Sequence, residues 1–245
     1  MTTTTHPISG SVNTTTEERN SSPINWGYSR INGLFYVVLF VIGMFSPLVI
    51  ESIVTRGETA TTAQNLIDNL QLFEISLVTW FAIAVIDIAI SVTLYRLVEP
   101  SGRTTALLMA SFRVGYSVIL GILVFGLVDS YRSLDGVALV TNSPVIGSVA
   151  TDLEGFLNGF QFALMFFGVH LSLLGVALIR SGVVSKLLGG ILTIAGVGYI
   201  VDGWLAVFYG AHNDDLSIAL LTPALIGELA LTVWLLRGRR KAKNS

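Results

Sequence analysis

The sequence predicts an all-α protein: a six-transmembrane-helix bundle with both termini cytoplasmic and a short amphipathic helix outside. Three observations carry this. Hydrophobic residues make up 52% of the 245-residue chain and charged ones only 12%, with a mean hydropathy of +0.73, whereas soluble domains carry about a quarter charged residues. Six apolar stretches reach the ~20 residues that one bilayer crossing requires. Lys and Arg gather at one side of those stretches. Without water, only helices or closed barrels satisfy the backbone, and runs this continuous exclude barrel strands.

Residues 1–30 read as a polar leader rich in Thr, Ser and Asn. It lacks the cationic start and apolar core of a secretory signal peptide. Its apolar content is too small to offset ordering entropy, so disorder is expected. Asn13 and Asn20 each match the glycosylation pattern, and both are read as chance matches because the topology places them inside. The transmembrane domain is expected over 31–236, with spans near 31–50, 75–97, 105–128, 156–179, 186–209 and 216–236, followed by a basic tail over 237–245. Polar turns such as Glu99-Pro100-Ser101-Gly102-Arg103 and Arg180-Ser181-Gly182 join neighbouring spans as helix hairpins.

Two outer connections are long. In 59–74, Ala63, Leu66, Ile67, Leu70 and Phe73 recur at helical spacing, predicting an amphipathic helix lying on the outer interface. Residues 130–155 contain Gly136, Asn142, Pro144 and Gly147 and read as an irregular external loop.

Orientation follows from the cations. Arg19, Arg30, Arg96, Arg103, Arg180, Lys186 and the tail residues Arg237, Arg239, Arg240, Lys241 and Lys243 fall on one side. The other side carries Arg56 and Arg132 against ten acids, among them Glu51, Glu58, Asp152 and Glu154. The expectation is a multi-pass protein of the cell membrane. The absence of cysteine excludes disulfides, thiolate metal sites and a cysteine nucleophile. His6, His170 and His212 lie on different segments with no HExxH, so no metal and no cofactor are expected. The basic tail is explained by topology and anionic lipid rather than nucleic acid. Membrane lipids are the expected partners, a small solute or a proton is a candidate, and nothing specifies a homo-oligomer.

Asp87, Arg113, His170 and Glu228 lie near the middle of four different spans. Such groups cost at least ~2.5–3.5 kcal/mol at membrane depth and persist only when paired, hydrated or functional. Counting ~1.5 Å of rise per residue puts all four roughly 12–15 Å from one membrane face. Arg113 stays charged, so it needs an acid or water, and Asp87 or Glu228 can supply the charge. That leaves His170 and the other acid as the titrating pair. Asp202, with Tyr199 on its stripe, sits nearer the outer face, within reach of water from outside, and is read first as a structural residue. Pro223 frees a backbone carbonyl five residues before Glu228, an irregularity of the kind that lines transporter sites. Asn32, Trp26, Tyr28 and Trp234 read as interfacial anchors. Gly168 and Gly175 on the fourth span, and Gly189, Gly196 and Gly203 on the fifth, repeat every seven residues. Such stripes let membrane helices approach closely, predicting a packing seam.

The run Phe166-Phe167-Gly168-Val169-His170-Leu171-Ser172-Leu173-Leu174-Gly175, with Ile179-Arg180-Ser181-Gly182 and Leu188-Gly189 after it, carries a resemblance. So do Gly196-Val197-Gly198-Tyr199-Ile200-Val201-Asp202, Pro223-Ala224-Leu225-Ile226-Gly227-Glu228-Leu229, Arg30-Ile31-Asn32-Gly33-Leu34-Phe35-Tyr36 and Ser111-Phe112-Arg113. Together they resemble a family of uncharacterised prokaryotic membrane proteins catalogued as domain of unknown function four-three-eight-six. The resemblance spans roughly 30–236 and is most specific in the last third. It fits least over 130–155, where the family pattern is more helical. It implies a bacterial or archaeal multi-helix membrane protein and brings no established activity.

Three functions fit these residues. The first is a binding or transport protein holding a small solute or carrying protons at the polar cluster. The second is a membrane-embedded enzyme acting on a lipid or isoprenoid, with histidine and carboxylates as acid and base. It lacks a DDxxD-like pair, HExxH, GxSxG and a cysteine nucleophile, which inclines the reading away from an enzyme. The third is a structural or regulatory scaffold fixed by its polar network.

Overall fold

The computed structural model describes residues 24–210 and 214–238. Among them are seven α-helices and no strand: α1 (Ser29–Ile53), α2 (Thr59–Asp68), α3 (Leu70–Val98), α4 (Arg103–Arg132), α5 (Pro144–Ser181), α6 (Lys186–Tyr209) and α7 (Asp214–Arg237). All but α2 are long and apolar enough to cross a membrane. Residues such as Val41, Phe81, Phe125 and Ile194 are exposed on their outward faces, as expected where the surrounding solvent is lipid.

The six long helices form a closed ring in chain order, each packing on the next, with α7 returning to α1. The α1–α7 join is the slightest of the six. It is made at the end that carries both termini: Ser29 Oγ donates to the Leu235 carbonyl at 2.7 Å, and Trp26 meets Trp234 at 5.5 Å between ring centroids. Gly33 sits so close to Leu236 that a Cβ there would overlap it. Away from that end, the two helices part.

The seam between α5 and α6 is the most extensive in the ring. A Cβ on Gly168 would overlap the Gly196 carbonyl, and one on Gly175 would overlap the Gly189 carbonyl and Thr193. Backbone meets backbone there, so dispersion acts over the shortest distance helices allow. Gly203 instead faces Met165 and the Gln161 carbonyl. Gly175→Leu is expected to lower stability by about 1–3 kcal/mol through overpacking, read as a loss of folded fraction in a denaturing-detergent titration. Parental stability would show that the helices can separate at no cost.

The ends of the helices follow local rules. Gly182 closes α5 at φ 69°, a left-handed cap that glycine adopts without strain. Ser185 opens α6 by accepting from the Leu188 amide at 3.1 Å. A 3-10 turn over Glu99–Ser101 links α3 to α4.

Four expectations are corrected. The stretch 130–155 is not wholly irregular: α5 starts at Pro144 and runs for 38 residues, about 57 Å at 1.5 Å per residue, far beyond a bilayer core. Ile146, Val149, Ala150 and Leu153 are buried at helical spacing, a pattern the intervening Gly and polar residues concealed. The 59–74 segment is not a single interfacial helix. It breaks at Asn69, and Ala63 and Leu66 of α2 are buried against the protein, with α2 packed on the extension of α5. Arg56 Nη1 donates to Asn158 Oδ1 at 3.2 Å, and the Gly57 amide to Glu154 Oε1 at 3.2 Å, tying the α1–α2 link to α5. Ser29 and Arg30, assigned to the leader, open α1, and Ile24 is already buried. Residues 1–23 of the leader, the sequons at Asn13 and Asn20, His6, His212 and tail residues 239–245 lie outside the described residues. Finally, Asn32 is no interfacial anchor. It is buried, accepting from Thr93 Oγ1 at 2.7 Å and donating to the Tyr28 carbonyl at 2.8 Å.

Candidate functional site

Arg113 is at the centre of the ring. It is 1% exposed, about a third of the way along α4 from Arg103. Three helices answer it. Asp87 of α3 forms an ion pair through Oδ1 with Arg113 Nη2. Arg113 Nη1 donates to Tyr36 Oη of α1 at 3.0 Å and reaches His170 Nε2 of α5 at 3.0 Å. The guanidinium carbon lies 5.2 Å from the ring centroids of both Tyr36 and Phe167, so aromatic faces share in holding the charge.

The hydrogen bonds fix the state of His170. Its Nδ1 lies 2.9 Å from the Met109 carbonyl, which can only accept, so Nδ1 carries the hydrogen. Its Nε2 faces a guanidinium, which can only donate, so Nε2 offers its lone pair. Both nitrogens are occupied and the imidazole is neutral. The expectation that His170 titrates as a proton carrier is therefore corrected: Arg113 stands where a proton would bind. Of the two acids considered for Arg113, the structure chooses Asp87.

Glu228 stands apart from that network. It is half-buried on α7, and its Oε1 accepts from Tyr199 Oη at a long 3.4 Å. Asp202 is buried and accepts from Ser217 Oγ at 2.5 Å. Pro223 lies within α7 without ending it.

Glu228, Asp202, Asp87 and Arg113 share one feature that the sequence did not disclose. They line a cavity of about 780 Å³ between the parted halves of α1 and α7, within the ~300–1,000 Å³ range of small-molecule sites. Phe40, Met44, Ile218 and Leu225 flank it and are exposed, so the gap between the two helices forms part of its mouth. Its floor is formed by Trp80, Tyr116, Gln161 and Phe167. Trp80 and Gln161 escaped sequence reasoning, although a mid-span Gln is the same signal as a mid-span acid.

Three fully buried polar atoms in these lining residues have no hydrogen-bond partner: Trp80 Nε1, Arg113 Nε and Gln161 Oε1. Beside Gln161 Oε1, a second acceptor arises on α1. Pro47 has no N–H to give the Gly43 carbonyl, and both residues line the cavity. Among the described residues, no group of three or more His, Asp or Glu side chains is placed to hold a metal ion.

Comparison with known proteins adds a family and a relative. A family model described as "Domain of unknown function (DUF4386)" matches residues 31–238. An "Uncharacterized protein" of Archaeoglobus fulgidus is 30% identical over 166 residues, covering 67% of this chain and 85% of that protein. No solved structure matches.

Proposed function

The chain belongs to the DUF4386 family of domains of unknown function, a multi-pass membrane protein, and from that premise we propose that it is a binding protein of the transport class. A small solute enters sideways from the lipid between α1 and α7 and docks beside the Asp87–Arg113 network. The observation that carries this reading is unmatched hydrogen-bonding capacity in the cavity. Trp80 Nε1, Arg113 Nε and Gln161 Oε1 are buried without partners, and each such group carries a desolvation cost of about 1–3 kcal/mol that an occupant would relieve.

Two competing readings lose ground on the same geometry. A scaffold needs the ion pair but not a cavity beside it. A lipid- or isoprenoid-processing enzyme needs an acid–base pair, and His170 has both nitrogens committed. We place the protein in the cell membrane with both termini cytoplasmic, supported by Arg30, Arg96, Arg103, Arg180, Lys186 and Arg237 at the terminus-bearing end against Arg56 and Arg132 at the other.

Cysteine chemistry tests lateral entry cleanly, because the chain has no cysteine of its own. Met44→Cys and Leu225→Cys are expected to react with a lipid-soluble maleimide in lipid discs, while Leu127→Cys, 1% exposed in the parent, does not. A solvent extract of the purified protein, added back, slows labelling at Met44→Cys. Equal, slow labelling at all three positions would remove the lateral entrance and the reading with it.

A further inference from the structure

Charge in the cavity is unbalanced. Five ionisable side chains line it: Glu51, Asp87, Arg113, Asp202 and Glu228, besides its tyrosines. Among the described lining residues Arg113 is the one cation, and its ion pair is with Asp87. Glu51 is exposed near the end of α1; among the described residues, no ion pair reaches the buried Asp202 or the half-buried Glu228. Carboxylates in low dielectric need a cation or a proton, and the described lining residues supply neither a Lys nor a second Arg.

From this we infer that the cavity accepts an organic cation with an apolar body, its charged centre held by Glu228 and its body against the aromatic floor, while Asp202, bonded to Ser217 nearer the outer end of α7, adds negative charge along the same cavity. The inference rests on the binding reading above and names its ligand class. The acceptors fit this sign: Gln161 Oε1 has no donor, and the Gly43 carbonyl has lost its helical partner to Pro47. The walls fit it too. Trp80, Tyr116, Phe160 and Tyr199 present ring surface to the same space. The molecule already shows that such walls hold positive charge, since the Arg113 guanidinium sits 5.2 Å from the centroids of Tyr36 and Phe167.

Size and depth narrow the class. A cavity of about 780 Å³ with its acids spread over α1, α6 and α7 matches an extended molecule rather than a bare metal ion. Glu228 lies 14 residues into α7 from Asp214, roughly 21 Å at 1.5 Å per residue. A lipid headgroup anchored at the interface does not reach that depth, whereas a free lipophilic amine or quaternary ammonium does. Trp80 Nε1 and Arg113 Nε, both donors, mark where an oxygen of such a ligand, or a water beside it, would sit.

The test uses the full chain in phosphatidylglycerol nanodiscs, with empty nanodiscs as the blank. Radiolabelled tetraphenylphosphonium is expected to bind saturably, and its size-matched anion, tetraphenylborate, to compete poorly. Glu228→Gln weakens binding at least tenfold, and Asp202→Asn weakens it less, with both variants matching the parent in thermal midpoint. Adding phosphatidylethanolamine leaves binding unchanged for a free cation; displacement would assign the cation to an amine headgroup. Equal competition by tetraphenylborate, or parental affinity in Glu228→Gln, overturns the cationic site while leaving lateral binding intact. If neither probe binds saturably, the cationic site falls, and cysteine labelling at Met44→Cys decides lateral binding separately.

Discussion

Asp87→Asn lowers the folded-state stability by about 3–5 kcal/mol, the cost of leaving a buried charge without its partner. The direction is set by what remains. Arg113 keeps its charge because a guanidinium does not deprotonate in proteins, and at 1% exposure it finds no bulk water to replace the lost carboxylate. Glu228 does not substitute, since its hydrogen bond is to Tyr199 on another side of the cavity. Removing both charges tells more. In Asp87→Asn with Arg113→Met the stranded charge is gone, so most of the loss returns. Full recovery is not expected: His170 Nε2 and Tyr36 Oη each lose the Arg113 Nη1 donor, and an unsatisfied buried acceptor costs about 1–3 kcal/mol. A double-mutant cycle in denaturing detergent measures the coupling directly. Additive single effects would mean that the two residues do not act as a pair.

The same network explains why part of the site was legible in the sequence and part was not. The expense of ionisable groups at membrane depth singles out Asp87, Arg113, His170 and Glu228 from composition alone. Helical counting gives their depth but not the rotation of each helix about its own axis. Rotation decides that Asp87 rather than Glu228 meets Arg113, and that His170 faces both a guanidinium and the Met109 carbonyl. A neutral phenol such as Tyr36 carries no intramembrane charge signal, although it accepts from Arg113 Nη1. The cavity was illegible for a related reason. It arises where α1 and α7, the two helices most distant in the chain, meet at one end and part at the other. The pattern that failed outright was 144–155, where Pro144 and Gly147 read as loop chemistry. Pro144 is instead the first residue of α5, the position where proline's missing N–H is harmless.

Architecture and chemistry meet in α1. Its terminus-bearing half is fixed by Ser29, Asn32 and Gly33, all buried against α3 or α7. Its other half carries Gly43 and Pro47, where the backbone hydrogen bond is missing and the side faces the cavity. Ser46 anchors that half to α3 through Thr79 Oγ1 at 2.7 Å. So α1 is held on its α3 side and open on its α7 side, the arrangement a lateral entrance requires.

Gly43→Trp turns that arrangement into an expected separation of stability from function. A Cβ built on Gly43 meets nothing within 4 Å, so the indole enters the cavity without displacing protein. Helix propensity favours the change, because glycine in a helix interior is less favourable than ordinary residues by several tenths of a kcal/mol, up to about 1 relative to alanine. The variant is therefore expected to match or exceed the parent in thermal midpoint. Its ligand occupancy should fall at least tenfold, since the indole fills space that an occupant needs and covers the wall between Phe40 and Pro47. Gly121→Trp is the control: Gly121 also has open space around it but lies outside the cavity lining, and its occupancy should stay parental. Mass spectrometry of solvent extracts from the three purified proteins reads the result whatever the ligand is. A compound present in the parent and in Gly121→Trp but lost from Gly43→Trp is the expected outcome. Identical extracts from all three, with Gly43→Trp folded, would show that nothing binds where α1 and α7 part.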